Sequence, residues 1–252
     1  MTDAKILFFD IECSMAKVYT YDLFKPFIGY KDIIEPSRMI AFSAKWYGKK
    51  GVIFKSEYHD SRTEMLQTLH DMLDEADIVC GYNINRYDIP WVAGEMHVEG
   101  FLPPSPFKKL DLFQTIRSNT RFLSKKLDYV SERLLDDHKK QYSMAEMWRI
   151  VNNPDTDEDT RRREWNRMRT YAKKDTALME PLFENLRPLL KMPHPIREVP
   201  EGVLACRNCG SEDLTRRGFA LTLDGKYQRY QCVCGSWMRG TTRVSVGSTR
   251  SL

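Results

Sequence analysis

The sequence predicts an α/β domain, a mixed sheet flanked by helices, followed by a small cysteine-rich module. Three observations carry this expectation. Short apolar runs come first and then alternate with segments of helical period. A break with three prolines and a glycine, KMPHPIREVPEG (191–202), reads as a linker. Beyond it lie four of the six cysteines.

Residues 5–12 (KILFFDIE) form an apolar run that ends in acids, the pattern of a central strand buried on both faces. Residues 15–38 are rich in Tyr, Phe and Lys without a clear period, and are expected to form a long surface loop. Residues 39–47 and 52–57 are apolar, and GKKG between them makes a hairpin. Ser61 with Glu64 predicts a capping box opening a helix to about Ala76, with Met65, Leu66, Leu69, Met72 and Leu73 inward. DIVCGYN (77–83) reads as a further strand running into a loop, and helices are expected over 88–99, 111–118, 126–136 and 143–150. FLPPSPF (101–107) is expected as a packed loop. NNPDTDED (152–159) is turn-like, and a long helical pattern follows from Thr160 to Leu190, interrupted at Pro181 and Pro188. Residues 203–240 read as short strands and turns, and 241–252 as a polar tail.

With 252 residues and 42% apolar content, one sizeable domain plus a small one is expected rather than disorder. No run of ~18 apolar residues occurs and the N-terminus lacks a signal-peptide pattern, so the expected location is cytoplasmic, without a membrane partner. The net charge is +4, and residues 191–252 carry ten Lys/Arg against five Asp/Glu, or +5, which leaves residues 1–190 near −1. Cys13 and Cys80 are isolated and expected to be reduced core thiols.

Four carboxylates and a tyrosine stand out. Asp10 and Glu12 are two apart on a strand, so their side chains share a face. Asp88 follows GYNINRY at the start of a helix, where an aspartate also serves as an N-cap. Tyr171 and Asp175 are four apart on a helix and share a face. Brought to one point, such carboxylates hold two Mg²⁺ or Mn²⁺ ions, which together activate water and stabilise the charges of phosphodiester hydrolysis.

FFDIEC, GYNINRYDIPW and YAKKDTALME, in this order, resemble the three motifs of the DEDD 3′–5′ exonucleases, which have a ribonuclease H-like fold. The tyrosine four residues before the last aspartate resembles the DEDDy branch, which includes the proofreading domains of family B DNA polymerases. TRFLSKKLDYVSERLL (120–135) is similar to the segment between their second and third motifs, and the likeness covers roughly residues 5–187. The resemblance implies that Asp10 bridges both metals, Glu12 and Asp175 complete the tighter site, and Asp88 holds the second ion, partly through water. It further implies that Tyr171 positions the attacking water and that Asn83 shapes the site near the 3′-terminal nucleotide. Cys13 stands where the family usually has threonine, and Tyr87 where it has phenylalanine. Arg161, Arg162, Arg163, Arg167 and Arg169 either flank the substrate channel or form a solvated helix face.

Cys206-x2-Cys209 is followed, 22 residues later, by Cys232-x-Cys234, and a glycine follows each pair. Four thiolates on two tight turns are expected to make a closed structural Zn²⁺ site, with a disulfide or free thiols as the alternatives. The segment resembles a zinc ribbon. Arg216, Arg217, Lys226, Tyr227, Arg229, Tyr230, Trp237 and Arg239 interleave charge with rings, which suits nucleic acid; a solvated basic ribbon whose aromatics fill a small core, or a protein-docking module, are the alternatives. The expected organisation is an exonuclease domain over 1–190, a linker over 191–204, a zinc ribbon over 205–240 and the tail. The expected substrate is single-stranded DNA, with RNA, structure-specific cleavage or a non-catalytic binding role as alternatives. No polymerase domain fits in this length, so the chain is expected to act alone or beside a polymerase or repair complex, in a bacterial or phage-infected cell.

Overall fold

The computed structural model describes residues 4–21, 24, 27–136, 143–192, 199 and 202–245. The elements run β1 (Ile6–Cys13), β2 (Lys17–Val18), β3 (Ile33–Glu35), β4 (Met39–Trp46), β5 (Ile53–Ser56), α1 (Arg62–Glu75), β6 (Ile78–Gly81) and α2 (Asp88–Val98). Then come β7 (Lys108–Asp111), α3 (Leu112–Asn119), α4 (Leu127–Leu135), α5 (Met144–Val151), α6 (Glu158–Leu186), β8 (Leu214–Thr222), β9 (Gly225–Cys232) and β10 (Trp237–Ser245). Five strands form a mixed sheet in the order β5-β4-β1-β6-β7, with β1, β4 and β5 antiparallel and β1, β6 and β7 parallel. This is the predicted mixed sheet flanked by helices.

β1 is central, and its alternation divides the core. Leu7, Phe9 and Ile11 pack with Met65, Leu66 and Leu69 of α1 and Val92 and Met96 of α2. Ile6 and Phe8 pack on the other face with Ile116, Val130, Met179, Leu182 and Phe183. Each fully buried side chain of this kind contributes roughly 1.5–3 kcal/mol. Coverage on both faces explains why β1 reads as an unbroken apolar run.

Several boundaries differ from expectation for local reasons. Ser61 caps α1 by accepting from Glu64 N–H at 3.1 Å, but the Glu64 carboxylate turns to Lys55 Nζ at 2.7 Å, leaving half a capping box. α6 begins two residues early because Asp157 accepts from Thr160 N–H at 2.8 Å. It ends at Leu186 in a 3-10 turn, Arg187–Leu189, where Pro188 cannot continue an α-helix. β7 has no counterpart in the sequence reading: it is a four-residue edge strand opening on two exposed lysines. The expected loop over 15–38 contains the β2–β3 pair. Residues 101–107 do pack, with Phe101 and Phe107 against the α1–α2 face.

The second sheet has the order β10-β9-β8. β10 runs to Ser245, five residues into the stretch expected as tail. Most of the expected linker (193–198, 200 and 201) and residues 246–252 lie outside the described residues. Among the described residues no helix is long and apolar enough to cross a membrane.

Candidate active site

Asp10 and Glu12 continue the Ile6–Phe8 face of β1, the face covered by α6. Asp10 pairs across the sheet with Ser43 of β4, whose side chain therefore lies on the same face. Ser43 is fully buried, and its hydroxyl needs partners there. It donates to Ala172 O at 2.9 Å and lies 2.6 Å from Thr176 Oγ1, which must then be the donor in that second bond. These bonds fix on β4 the helical turn that carries Tyr171 and Asp175. Asp175 is buried and Tyr171 half-buried.

Asp88 arrives from the other side of β1. β6 pairs with β1 only from Ile6 to Phe8, and then the chain turns away at Gly81. A Cβ at Gly81 would lie 2.1 Å from Ile84 Cγ2 and 2.9 Å from Phe9 O, so only glycine fits the departure. Past that point Ile11 N–H is taken by Asp88 Oδ1 at 3.1 Å. The Asp88 carboxylate thus rests against the backbone between Asp10 and Glu12. It is 2% exposed. Burial raises its pKa to about 7, against the hydrogen bond from Ile11, with the nearby Asp111 charge adding to the rise.

Asp111, which the sequence reading passed over as a site residue, organises the loop before Asp88. Its carboxylate accepts from Asn83 N–H (3.1 Å), Asn85 N–H (3.2 Å) and Gln114 N–H (3.0 Å), joining that loop to the start of α3. Asn83 sits at φ 69°, a left-handed conformation that asparagine tolerates better than most residues. The signal for Asp111 was present: Asp three residues before Gln, at a strand end, is a helix-start pattern. Ser43 had a weaker one, a single hydroxyl inside an apolar strand.

Cys80 is a buried core thiol as expected, but Cys13 is half-buried at the strand end, hydrogen-bonded to Tyr87. Burial raises the Cys13 thiol to about 12. Cys13 and Tyr87 therefore touch one another, linking β1 to the start of α2. Of the α6 arginines, Arg161, Arg162 and Arg167 pair with Glu158, Asp159 and Glu164 three residues before them, and Arg163 bonds Thr160 Oγ1. The three ion pairs run i,i+3 along the helix, with Arg162 and Asp159 exposed but Glu164 buried.

The four clustered thiols come together. Cys206 Sγ lies 3.7 Å from Cys234 Sγ, and Cys209 Sγ lies 3.5 Å from Cys232 Sγ. Ligands ~2.3 Å from a tetrahedral Zn²⁺ are about 3.8 Å apart, so the donor set and spacing fit that ion. Gly210 and Gly235 turn the two knuckles at φ 75° and 85°. Among the described residues these thiols are the set close enough to share one ion; the carboxylates border the same strand end without closing to that spacing. As hard oxygen donors from separate elements, they suit Mg²⁺ or Mn²⁺.

The knuckles are seated far from the carboxylates. Asn208 Nδ2 donates to Arg187 O and to Ser236 Oγ, both at 2.8 Å, and Arg187 donates back to Asn208 O. Arg187 also donates to Tyr47 OH at 2.6 Å, and Tyr47 N–H bonds Ile6 O at the start of β1. The cysteine centre is therefore at the opening end of β1, and Asp10 and Glu12 are at the other.

A family model described as the RNase H superfamily matches residues 35–187, more than half of the chain. It begins after Asp10 and Glu12. Among solved structures, the family B DNA polymerase from the hyperthermophilic archaeon Pyrobaculum calidifontis matches with a TM-score of 0.54 at 17% identity, over 74% of this chain and 25% of that one. The likeness is one of fold, and this chain corresponds to about a quarter of that polymerase. No curated protein matches. The RNase H model, over strands and helices that build the carboxylate-bearing sheet, places the chain in a family: it belongs to the RNase H superfamily.

Proposed function

We propose that the chain is a metal-dependent 3′–5′ exonuclease of the DEDDy type that acts on single-stranded DNA. The observation that carries this reading is the meeting of three elements around the end of β1. Asp88 bonds the backbone between Asp10 and Glu12, while Ser43, opposite Asp10, holds the α6 turn of Tyr171 and Asp175. Asp10, Glu12, Asp88 and Asp175 would hold two Mg²⁺ or Mn²⁺ ions. Bound there, the ions supply an activated water and neutralise charge on the phosphate and the leaving oxygen.

The protein's own groups divide the remaining work. Tyr171 OH accepts or donates a hydrogen bond to orient the attacking water without ionising. Water adds to phosphorus, the bond to the leaving 3′-oxygen breaks, and that oxygen takes a proton as a nucleoside 5′-monophosphate departs. Asn83, set by Asp111, lies in the loop that would border the terminal nucleotide. The zinc ribbon grips nucleic acid, and a polymerase or repair complex is the expected setting.

The test is a substrate panel of linear single-stranded DNA, single-stranded RNA and circular single-stranded DNA, with Mn²⁺ or with EDTA. The proposal expects stepwise shortening of linear DNA from its 3′ end, none with EDTA, and an intact circle. Cutting of the circle would contradict an exonuclease, and preference for RNA would contradict the substrate.

A further inference from the structure

The β8–β10 sheet divides the ribbon's charged and aromatic residues between its two faces, each of which carries both. Residues 214–245 carry six Lys/Arg and one acid, Asp224. On one face three cross-strand pairs form a ladder: Gln231 with Trp237, Arg229 with Arg239, and Tyr227 with Arg243. Paired and alternate residues share a face, so all six point the same way. The Arg229 guanidinium lies 5.1 Å from the Trp237 ring centre, and that of Arg239 lies 4.3 Å from Tyr227. Arg243 Nε donates to Tyr227 OH at 3.1 Å.

Two features point outward from this ladder. Like charges directly opposite on a sheet are unfavourable, yet Arg229 faces Arg239, and among the described residues none of the three arginines has a carboxylate in ion-pair reach. The Arg229 and Arg239 guanidiniums lie instead over the Trp237 and Tyr227 rings, and Arg229 Nε donates to Arg217 O at 3.0 Å, contacts that hold them in place while leaving other N–H groups for an anion. Trp237 is 52% exposed and has a ring edge and face to offer, whereas Tyr227, at 8%, is covered by its arginines.

We propose that this face is a remote binding site for the single strand, with Arg229, Arg239 and Arg243 on phosphates and Trp237 stacked on a base. Charge selects a polyanion and the exposed ring selects unpaired bases. The site is remote because the knuckles rest by the start of β1, whereas the carboxylates are at its end. From Ile6 to Glu12, β1 spans ~20 Å at ~3.3 Å per residue. A stacked strand at ~3.4 Å per nucleotide needs about six nucleotides to cover that distance. Only the expectation about length rests on the exonuclease reading; binding to the face does not.

The experiment measures binding of 5′-fluorescein oligothymidylates of ~20 and ~4 nucleotides to the full zinc-loaded chain in a zinc-sparing, Mg²⁺-free buffer, across a salt series. Arg229→Gln with Arg239→Gln is compared with a matched double change on the opposite face, Arg216→Gln with Lys226→Gln, zinc content confirming the fold of each. For the ~20-mer, loss of two phosphate contacts makes the log–log salt slope shallower by about 1.4. Trp237→Ala weakens the same binding roughly fivefold or more. Binding of the ~4-mer stays unchanged, as does its hydrolysis with Mn²⁺ where the chain hydrolyses it. Unchanged ~20-mer binding by the first pair would overturn the site and favour a protein-docking face. An equal loss from both pairs would overturn the choice of face, and an equal loss for the ~4-mer would overturn its remoteness. Absence of hydrolysis together with the predicted binding changes would sink the exonuclease reading alone.

Discussion

Replacing Asp88 with Asn is expected to stabilise the protein while removing its activity. The carboxyl has a pKa raised to about 7 by burial, against ~3.9 in an unfolded chain. Its proton is therefore bound more tightly in the native state. The carboxyl costs nothing below about pH 4, and its cost grows as pH rises through about 7. At pH 8, about three pKa units correspond to about 4 kcal/mol of destabilisation. Asparagine keeps the oxygen that accepts from Ile11 N–H, but adds a buried amide donor that costs about 1–3 kcal/mol if unmatched. The net gain at pH 8 is about 1–3 kcal/mol, or roughly 2–12 °C in Tm for a chain of this size. Thermal melts at pH 4, 6 and 8 in Mg²⁺-free buffer would read it directly. The gain should be absent at pH 4 and largest at pH 8, and Mn²⁺ should narrow it by stabilising the wild type alone. A variant less stable at pH 8, or a gain that does not vary with pH, would refute the reasoning.

Three further outcomes follow from the geometry. Tyr171→Phe should lower kcat about tenfold or more, ~1.4 kcal/mol in the barrier, with KM for a short oligonucleotide little changed; an equal loss of binding would contradict its role. Gly81→Ala should destabilise the fold by about 1–3 kcal/mol, read by urea unfolding, because the new methyl meets Phe9 O and the Ile84 side chain. Cys206→Ser should lose zinc, measured by metal analysis, while hydrolysis of a ~4-nucleotide substrate persists, since the cysteine centre lies at the far end of β1. A folded Cys206→Ser variant inactive on that substrate would show instead that the ribbon completes the catalytic site.

Patterns confined to one element were legible in the sequence. The apolar run of β1, the Ser61 cap and the C-x2-C and C-x-C turns each depend on a few neighbouring residues and emerge in the structure. What was not legible depended on partners distant in the chain. Ser43 matters because it lies opposite Asp10 and beneath α6, 129 residues from Ala172. Asp111 matters because two loop amides 26 and 28 residues earlier point at it. β7 escaped notice because an edge strand beginning with two lysines has no apolar alternation to announce it. The order of the three motifs supplied what spacing alone could not, a reason to join carboxylates 78 and 87 residues apart into one site.

Asp10 and Asp175, from β1 and α6, are proposed to hold the ions that hydrolyse the strand. Hydrolysis of 5′-labelled single-stranded DNA with Mn²⁺, compared between the wild type and Asp10→Ala with Asp175→Ala, tests that proposal most directly. The wild type should shorten the strand progressively from its 3′ end and the variant should not, while remaining folded, zinc-loaded and able to bind a ~20-nucleotide strand. Unchanged Mn²⁺-dependent shortening by the variant would contradict the proposal.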